Sequence, residues 1–153
     1  MTPTPCATLG EAVDGSETSV DDYPGVSVVM PVLNEEQHLA AALRGIIDQD
    51  YPGPLEIVMA VGPSTDRTRE IADELARDLS GDGVSVRVVD SPTGKTPASL
   101  NLAIAASQYD YLVRVDGHGE LTDHYIATAV DLLQRTGAAN VGGIMDAQGR
   151  SPF

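Results

Sequence analysis

The sequence predicts an α/β domain of Rossmann-like type, with a mainly parallel sheet and helices on both faces. Three observations predict it. Short β-branched or apolar runs recur at residues 26–30 (VSVVM), 55–61 (LEIVMAV), 84–89 (VSVRVV) and 111–115 (YLVRV). The segments between them place apolar residues at helical rather than alternating spacing. Gly, Pro, Asn, Asp and Ser cluster where one period gives way to the other. Strands alternating with helices imply right-handed crossovers, and hence a parallel sheet covered on both sides. At 153 residues the chain is the size of one domain.

Each element has its own justification. The first run, 26–30, is a buried strand that Pro31 terminates. Asn34 is an N-cap with Gln37 three residues on, opening a helix whose face is Leu39, Leu43, Ile46 and Ile47. Tyr51, Pro52 and Gly53 break the chain before the second strand, 55–61. Ser64, Thr65 or Asp66 caps a second helix with Ile71, Leu75 and Leu79 inward, closed by Gly81 and Gly83. Val84, Val86 and Val88 alternate with Ser85 and Arg87 as a third strand. After a loop at 91–97, Leu100, Ala103, Ile104 and Ser107 form a small-residue helix face. The fourth strand, 111–115, delivers Asp116 at its carboxyl end, and Ile126, Ala129, Val130 and Leu133 mark a fourth helix. Residues 140–145 read as a final strand.

Charge narrows the function. With 9 Lys+Arg against 23 Asp+Glu, the net charge is -14. That argues against a nucleic-acid binder, whose affinity comes from cations displacing counterions, and against docking on an anionic membrane. Residues 1–25 hold Glu11, Asp14, Glu17, Asp21 and Asp22 with no Lys or Arg, and read as a disordered acidic leader; the domain proper spans 26–153. The leader lacks the basic start and apolar run of a secretory signal, and no apolar stretch is long enough for a transmembrane helix. The lone Cys6 cannot form an internal disulfide. These features together read as a cytoplasmic protein.

In parallel sheets, ligands bind beyond the carboxyl ends of the strands, near the point where strand order reverses. The loops to inspect are therefore 31–36, 62–67, 90–97 and 116–120. The first reads Pro-Val-Leu-Asn-Glu-Glu, without the glycines of a dinucleotide fingerprint. Gly94-Lys95-Thr96 resembles the end of a phosphate-binding Walker loop, but Val89 stands where the first glycine belongs. With Asp116 as the second acid, a nucleotide triphosphatase stays open as an alternative. Asp116-Gly117-His118-Gly119-Glu120 is the most chemically loaded stretch. Its glycines permit unusual backbone angles, and Asp116, His118 and Glu120 can turn toward one point. A carboxylate with an imidazole suits Mn²⁺ or Mg²⁺ bridging phosphate oxygens; the alternative is a solvated turn. His38 reads as an exposed helix residue, and His124 faces the site only if its helix start bends back. No zinc spacing and no nucleophile elbow occurs.

Taken in order, Val26-Ser-Val-Val-Met-Pro-Val-Leu-Asn-Glu-Glu36, Gln49-Asp-Tyr-Pro52, Ser64-Thr-Asp66, Gly94-Lys95 with Asn101, and Asp116-Gly-His118 resemble the amino-terminal half of a family 2 glycosyltransferase of the GT-A fold. The bacterial succinoglycan-biosynthesis type is the most similar subfamily. The resemblance implies inverting transfer of a sugar from a nucleotide-diphosphate sugar, usually a UDP-sugar, to a saccharide or lipid-linked acceptor, with a divalent metal, Mn²⁺ or Mg²⁺. It implies a donor site of Pro31, Asn34, Glu35, Ser64, Asp66, Lys95 and Asp116, with the metal on Asp116 and His118. Lys95 matches a basic residue near the donor phosphates, and Ser64 and Asp66 match the loop framing the base.

The chain departs from the family in three places. An acidic pair that commonly precedes the Ser-Thr-Asp run, one member of which contacts uracil, is here Val61-Gly62, followed by Pro63. His118 stands where most members carry a second Asp. The acceptor-activating carboxylate, the general base of the reaction, falls beyond Phe153, so no catalytic residue is assigned. The sequence is thus expected to be a donor-binding half, inactive alone, whose exposed sheet edge leads to self-association or to pairing with a separate carboxyl-terminal half. A membrane anchor, if present, would lie in that half, at the inner face of the membrane. A non-catalytic nucleotide-sugar-binding module is the remaining alternative.

Overall fold

A computed structural model describes residues 23–49, 51–81 and 83–143. Four strands and four helices alternate: β1 (Val26–Val32), α1 (Leu39–Ile47), β2 (Leu55–Val61), α2 (Thr68–Asp78), β3 (Val84–Asp90), α3 (Thr96–Ala106), β4 (Tyr111–Arg114) and α4 (Tyr125–Thr136). All strand pairs are parallel and the sheet order is β3-β2-β1-β4. The chain therefore moves one way from β1 to β3, then crosses back to place β4 on the other side of β1. The predicted α/β class and parallel sheet are present.

The reversal divides the helices between the faces. Val26, Val28, Met30 and Val32 of β1 and Ile57 and Met59 of β2 pack with Leu39, Leu43 and Ile46 of α1, Ala72 of α2, and Ile126 and Val130 of α4. On the other face Val29, Val58 and Ala60 pack against Ala103 of α3, with Leu100 and Ala106 beside it. Met30, Ile57 and Met59 are fully buried, each worth about 1.5–3 kcal/mol relative to exposure. Small residues let α3 lie close to the sheet, and Ser91 Oγ meets Ser99 Oγ at 2.7 Å beneath its first turn. Its expected inward face is only partly correct, since Ile104 is 43% exposed. A single helix on this face turns just one side of α3 to the sheet, and Ile104 lies off it.

Several expected boundaries move for identifiable reasons. Pro31 does not end β1 but lies inside it, paired with Ala60. Val26 N–H donates to Pro54 and Val32 accepts from Gly62 on the β2 side, whereas Val29 accepts from Val115 on the β4 side. By that alternation the missing Pro31 N–H faces the β4 side, where β4 has already ended, so no ladder bond is lost. Asn34 does not cap α1; His38 occupies that position without a side-chain cap bond. Residues 23–25, at the end of the expected leader, make contacts with the domain. Tyr23 stacks edge-on with Tyr51, whose hydroxyl donates to the Pro24 carbonyl at 2.5 Å, and Gly25 lies against the Tyr109 ring. Residues 1–22 of that leader lie outside the described residues, as do 144 and 145 of the expected last strand, while 140–143 form no strand. No helix among the described residues is long and apolar enough to cross a membrane.

Candidate functional site

The strand-end loops converge where the order reverses, between the carboxyl ends of β1 and β4. Glu35, three residues past β1, reaches across to the turn after β4, and its Oε1 lies 2.7 Å from His118 Nδ1. The other oxygen, Oε2, faces His38 Nδ1 at 3.4 Å. The Glu35 carboxylate is 15% exposed and the His118 ring 65% exposed. The hydrogen bond and charge of Glu35 raise the His118 pKa above the usual imidazole value, with Asp116 adding to the effect. Gly117 is required here, because a Cβ on it would lie 2.8 Å from Glu35 Cγ.

Asp116 leaves the end of β4 as expected, and the turn closes on it through Gly119 N–H donating to its carbonyl at 2.8 Å. Its carboxylate takes a fork from Arg114, with Nε to Oδ1 at 3.0 Å and Nη2 to Oδ2 at 3.2 Å. Two such bonds leave part of a carboxylate's acceptor capacity available. Among the described residues, no group of three or more His, Cys, Asp or Glu side chains gathers as a metal cage.

The first two loops are clasped together. Asn34 sits in the left-handed region at φ 55°, and its Oδ1 accepts the Thr65 N–H at 2.8 Å while its own N–H donates to Ser64 Oγ at 3.1 Å. The Glu35 N–H donates to Thr68 Oγ1 at 2.7 Å, and Asp66 Oδ2 accepts from the Glu36 N–H at 3.3 Å. Asp66 Oδ1 also takes the Thr68 N–H at 3.0 Å and the Thr68 hydroxyl; the N-cap position itself is Arg67, without a side-chain cap bond, not Ser64, Thr65 or Asp66. These bonds, led by the Thr68 hydroxyl, hold the Asp66 carboxyl below its ordinary range. Asn34, Ser64 and Asp66, expected around the donor, are thus brought together, with much of their bonding turned toward protein backbone. Thr68 and Glu36, whose side chains complete the clasp, were not singled out in the sequence. Glu36 lay within the first of the two loops, whereas Thr68 lies just past the second, as the first residue of α2.

The remaining expected residues lie along the same rim. A shallow cleft beyond β2 and β3 is lined by Val61, Gly62, Pro63, Ser64, Arg69 and Asp90, and Arg69 pairs with Asp90 across it. Lys95 is exposed at the start of α3, and its ammonium makes no ion pair among the described residues. The loop before it does not open as a Walker loop: Gly94 has φ 60° and lies directly against Gly62 and Pro63. His124 is exposed at the start of α4, also left-handed at φ 60°.

Comparison with known proteins bears on the family and the fold. The chain is 36% identical over 128 residues to the succinoglycan biosynthesis protein ExoA of Rhizobium meliloti, an alignment covering 82% of this chain and 38% of that protein. The chain thus spans about two-fifths of that relative's length. In structure it is similar to S. aureus TarS 1-349 in complex with UDP-GlcNAc, at TM-score 0.58 and 20% identity, over 81% of this chain and 37% of that one. It is also similar to the mannosyltransferase PcManGT of Pyrobaculum calidifontis in complex with GDP-Man and Mn²⁺, at TM-score 0.60 and 26% identity, over 72% of this chain and 32% of that one. Residues 27–153 match the profile of glycosyl transferase family 2. With the parallel sheet and the strand-end site already in place, that match makes the chain a member of glycosyl transferase family 2, with the GT-A fold.

Proposed function

We propose that this chain forms the donor-binding half of a glycosyltransferase that takes a sugar from a nucleotide-diphosphate sugar, a UDP-sugar in the first instance. The observation that carries the reading is the meeting of Glu35 with the Asp116-Gly117-His118 turn at the point where strand order reverses. That is where an open parallel sheet holds its ligand.

The donor set suits a divalent cation. Asp116 and His118 offer one carboxylate and one imidazole, and the absence of a full protein cage among the described residues suits an ion that takes further oxygens from substrate phosphates. An imidazole favours Mn²⁺ over Mg²⁺. When bound, such an ion would neutralise charge developing on the leaving diphosphate. Asp116, oriented by Arg114, supplies fixed negative charge at the β4 end. Lys95, unpaired among the described residues and on the same rim, binds a donor phosphate. The Asn34–Thr65 clasp holds the β1 and β2 loops as one wall for the nucleoside. Inversion at the anomeric carbon, a saccharide or lipid-linked acceptor, a cytoplasmic site of action and self-association along the β4 edge belong to the same proposal.

The test is a thermal-unfolding series with UDP-sugars, with and without Mn²⁺. At a hundredfold excess over Kd a donor adds about 2.7 kcal/mol, which for a domain of this size raises Tm by roughly 5–10 °C. Asp116→Ala is expected to abolish the Mn²⁺-dependent part of the shift. No shift with any nucleotide sugar would overturn the proposal.

A further inference from the structure

We propose that Glu35 is a positioning residue for His118: it holds the ring as the Nδ1–H tautomer, so that Nε2 carries the lone pair presented to the donor's cation. The inference rests on the donor-site reading above and adds to it a specific task for Glu35.

The geometry supports it from both sides of the contact. Of the two Glu35 oxygens, Oε1 meets His118 Nδ1 at 2.7 Å and Oε2 faces His38 at 3.4 Å. A carboxylate only accepts hydrogen bonds, so in the neutral ring the proton of this contact belongs to Nδ1. Nε2 is then the unprotonated nitrogen. Glu35 is itself fixed, because its N–H donates to Thr68 Oγ1 at 2.7 Å and its side chain is mostly buried. The Cβ-free Gly117 lets the turn close on Glu35 Cγ, with room too small for any side chain. A carboxylate behind a ligating imidazole fixes ring orientation and raises its basicity, and losing such a partner typically weakens metal binding by about 10–100-fold. No bond from the Asp116 carboxylate to the His118 ring is formed; it is Glu35 that meets Nδ1, while Asp116 is oriented by Arg114.

The experiment uses the full chain with its His rings ¹⁵N-labelled. Ring nitrogen shifts give the tautomer of His118 at a pH where it is neutral, and Mn²⁺ titration in the presence of UDP, read by electron paramagnetic resonance, gives the affinity. The wild type is expected to show the Nδ1–H form. Glu35→Ala should lose that preference and bind Mn²⁺ about 10–100-fold more weakly, while its amide spectrum shows that the fold is kept. Glu35→Gln retains a carbonyl acceptor and should restore the tautomer and most of the affinity. Equal tautomer and equal affinity in wild type and Glu35→Ala would overturn the inference and leave the donor reading intact. No Mn²⁺ binding by the wild type with UDP present would overturn both the inference and the metal assignment.

Discussion

At the residue scale, Asn34 shows how one side chain serves a purpose different from the one its neighbours suggest. Asn before a helical stretch reads as an N-cap, because its carbonyl accepts an orphan backbone N–H. It does accept one here, but from Thr65 in the next loop rather than from α1. The two uses share the same chemistry, and nothing local distinguishes them, since Thr65 is 31 residues away. The backbone gives a way to separate Asn34's contributions. At φ 55° an alanine is strained by about 1–2 kcal/mol, whereas glycine is not. Asn34→Ala is therefore expected to lower stability by about 2–3 kcal/mol, the strain plus the lost hydrogen bonding to Thr65. Asn34→Gly should cost only about 1 kcal/mol, the lost hydrogen bonding alone. Urea unfolding of both variants measures the difference, and equal costs would show that the conformation plays no part. Asp116 and His118, by contrast, were legible in the sequence because a strand end and two glycines fix where such residues emerge.

At the element scale, the loop between β3 and α3 bears on the Val61-Gly62-Pro63 segment, where the family resemblance leads one to expect an acidic pair. Gly62 stands within that segment. A Cβ on it would lie 2.7 Å from Gly94 Cα, and a Cβ on Gly94 would lie 2.9 Å from Pro63 Cδ. The two loops approach backbone to backbone, so the absence of a side chain at Gly62 and the positive φ of Gly94 belong to one packing solution. The sequence displayed both glycines but not their contact. Restoring the acid is thus expected to fail: Gly62→Asp must displace the Gly94 backbone, lowering Tm and leaving donor affinity no better. Gly94→Ala, strained at φ 60°, should destabilise by about 1–2 kcal/mol. A Gly62→Asp variant with wild-type Tm and tighter UDP binding would show that the loop yields without cost. Elements themselves were mostly legible because hydrophobic period is local. Pro31 was misread because whether a ladder partner faces its nitrogen depends on where β4 ends.

At the scale of the whole molecule, the end of the sheet opposite the site is tied by a charge inside an apolar run. Glu56 is 1% exposed. It receives Ser27 Oγ at 2.6 Å, the Gln108 N–H at 2.8 Å and Arg87 Nη2 at 2.5 Å, linking β1, β2, β3 and the exit from α3. Its partners lie 29, 31 and 52 residues away in sequence, so a pattern reading sees only one polar residue within LEIVMAV. Burial pushes this carboxyl up, but the Ser27, Gln108 and Arg87 bonds outweigh it and hold the group below its ordinary value of 4.5. The sign of the pH effect follows. The folded chain gives up this proton more readily than the unfolded chain, so Glu56 contributes stability above the unfolded value. That stability is lost as pH falls from 4.5 through the lower folded value. Arg87 is 41% exposed, so water screens its share, and the bonds to Ser27 and Gln108 carry most of the rest. Replacing the charge in Glu56→Gln is expected to cost about 1.5–3 kcal/mol at pH 7. The same variant should flatten the decline of unfolding free energy between pH 5 and 3, because the group that binds a proton on unfolding is gone. Urea titrations of both chains across that range decide the matter: parallel slopes would mean that other carboxylates, not Glu56, set the acid limit of the fold.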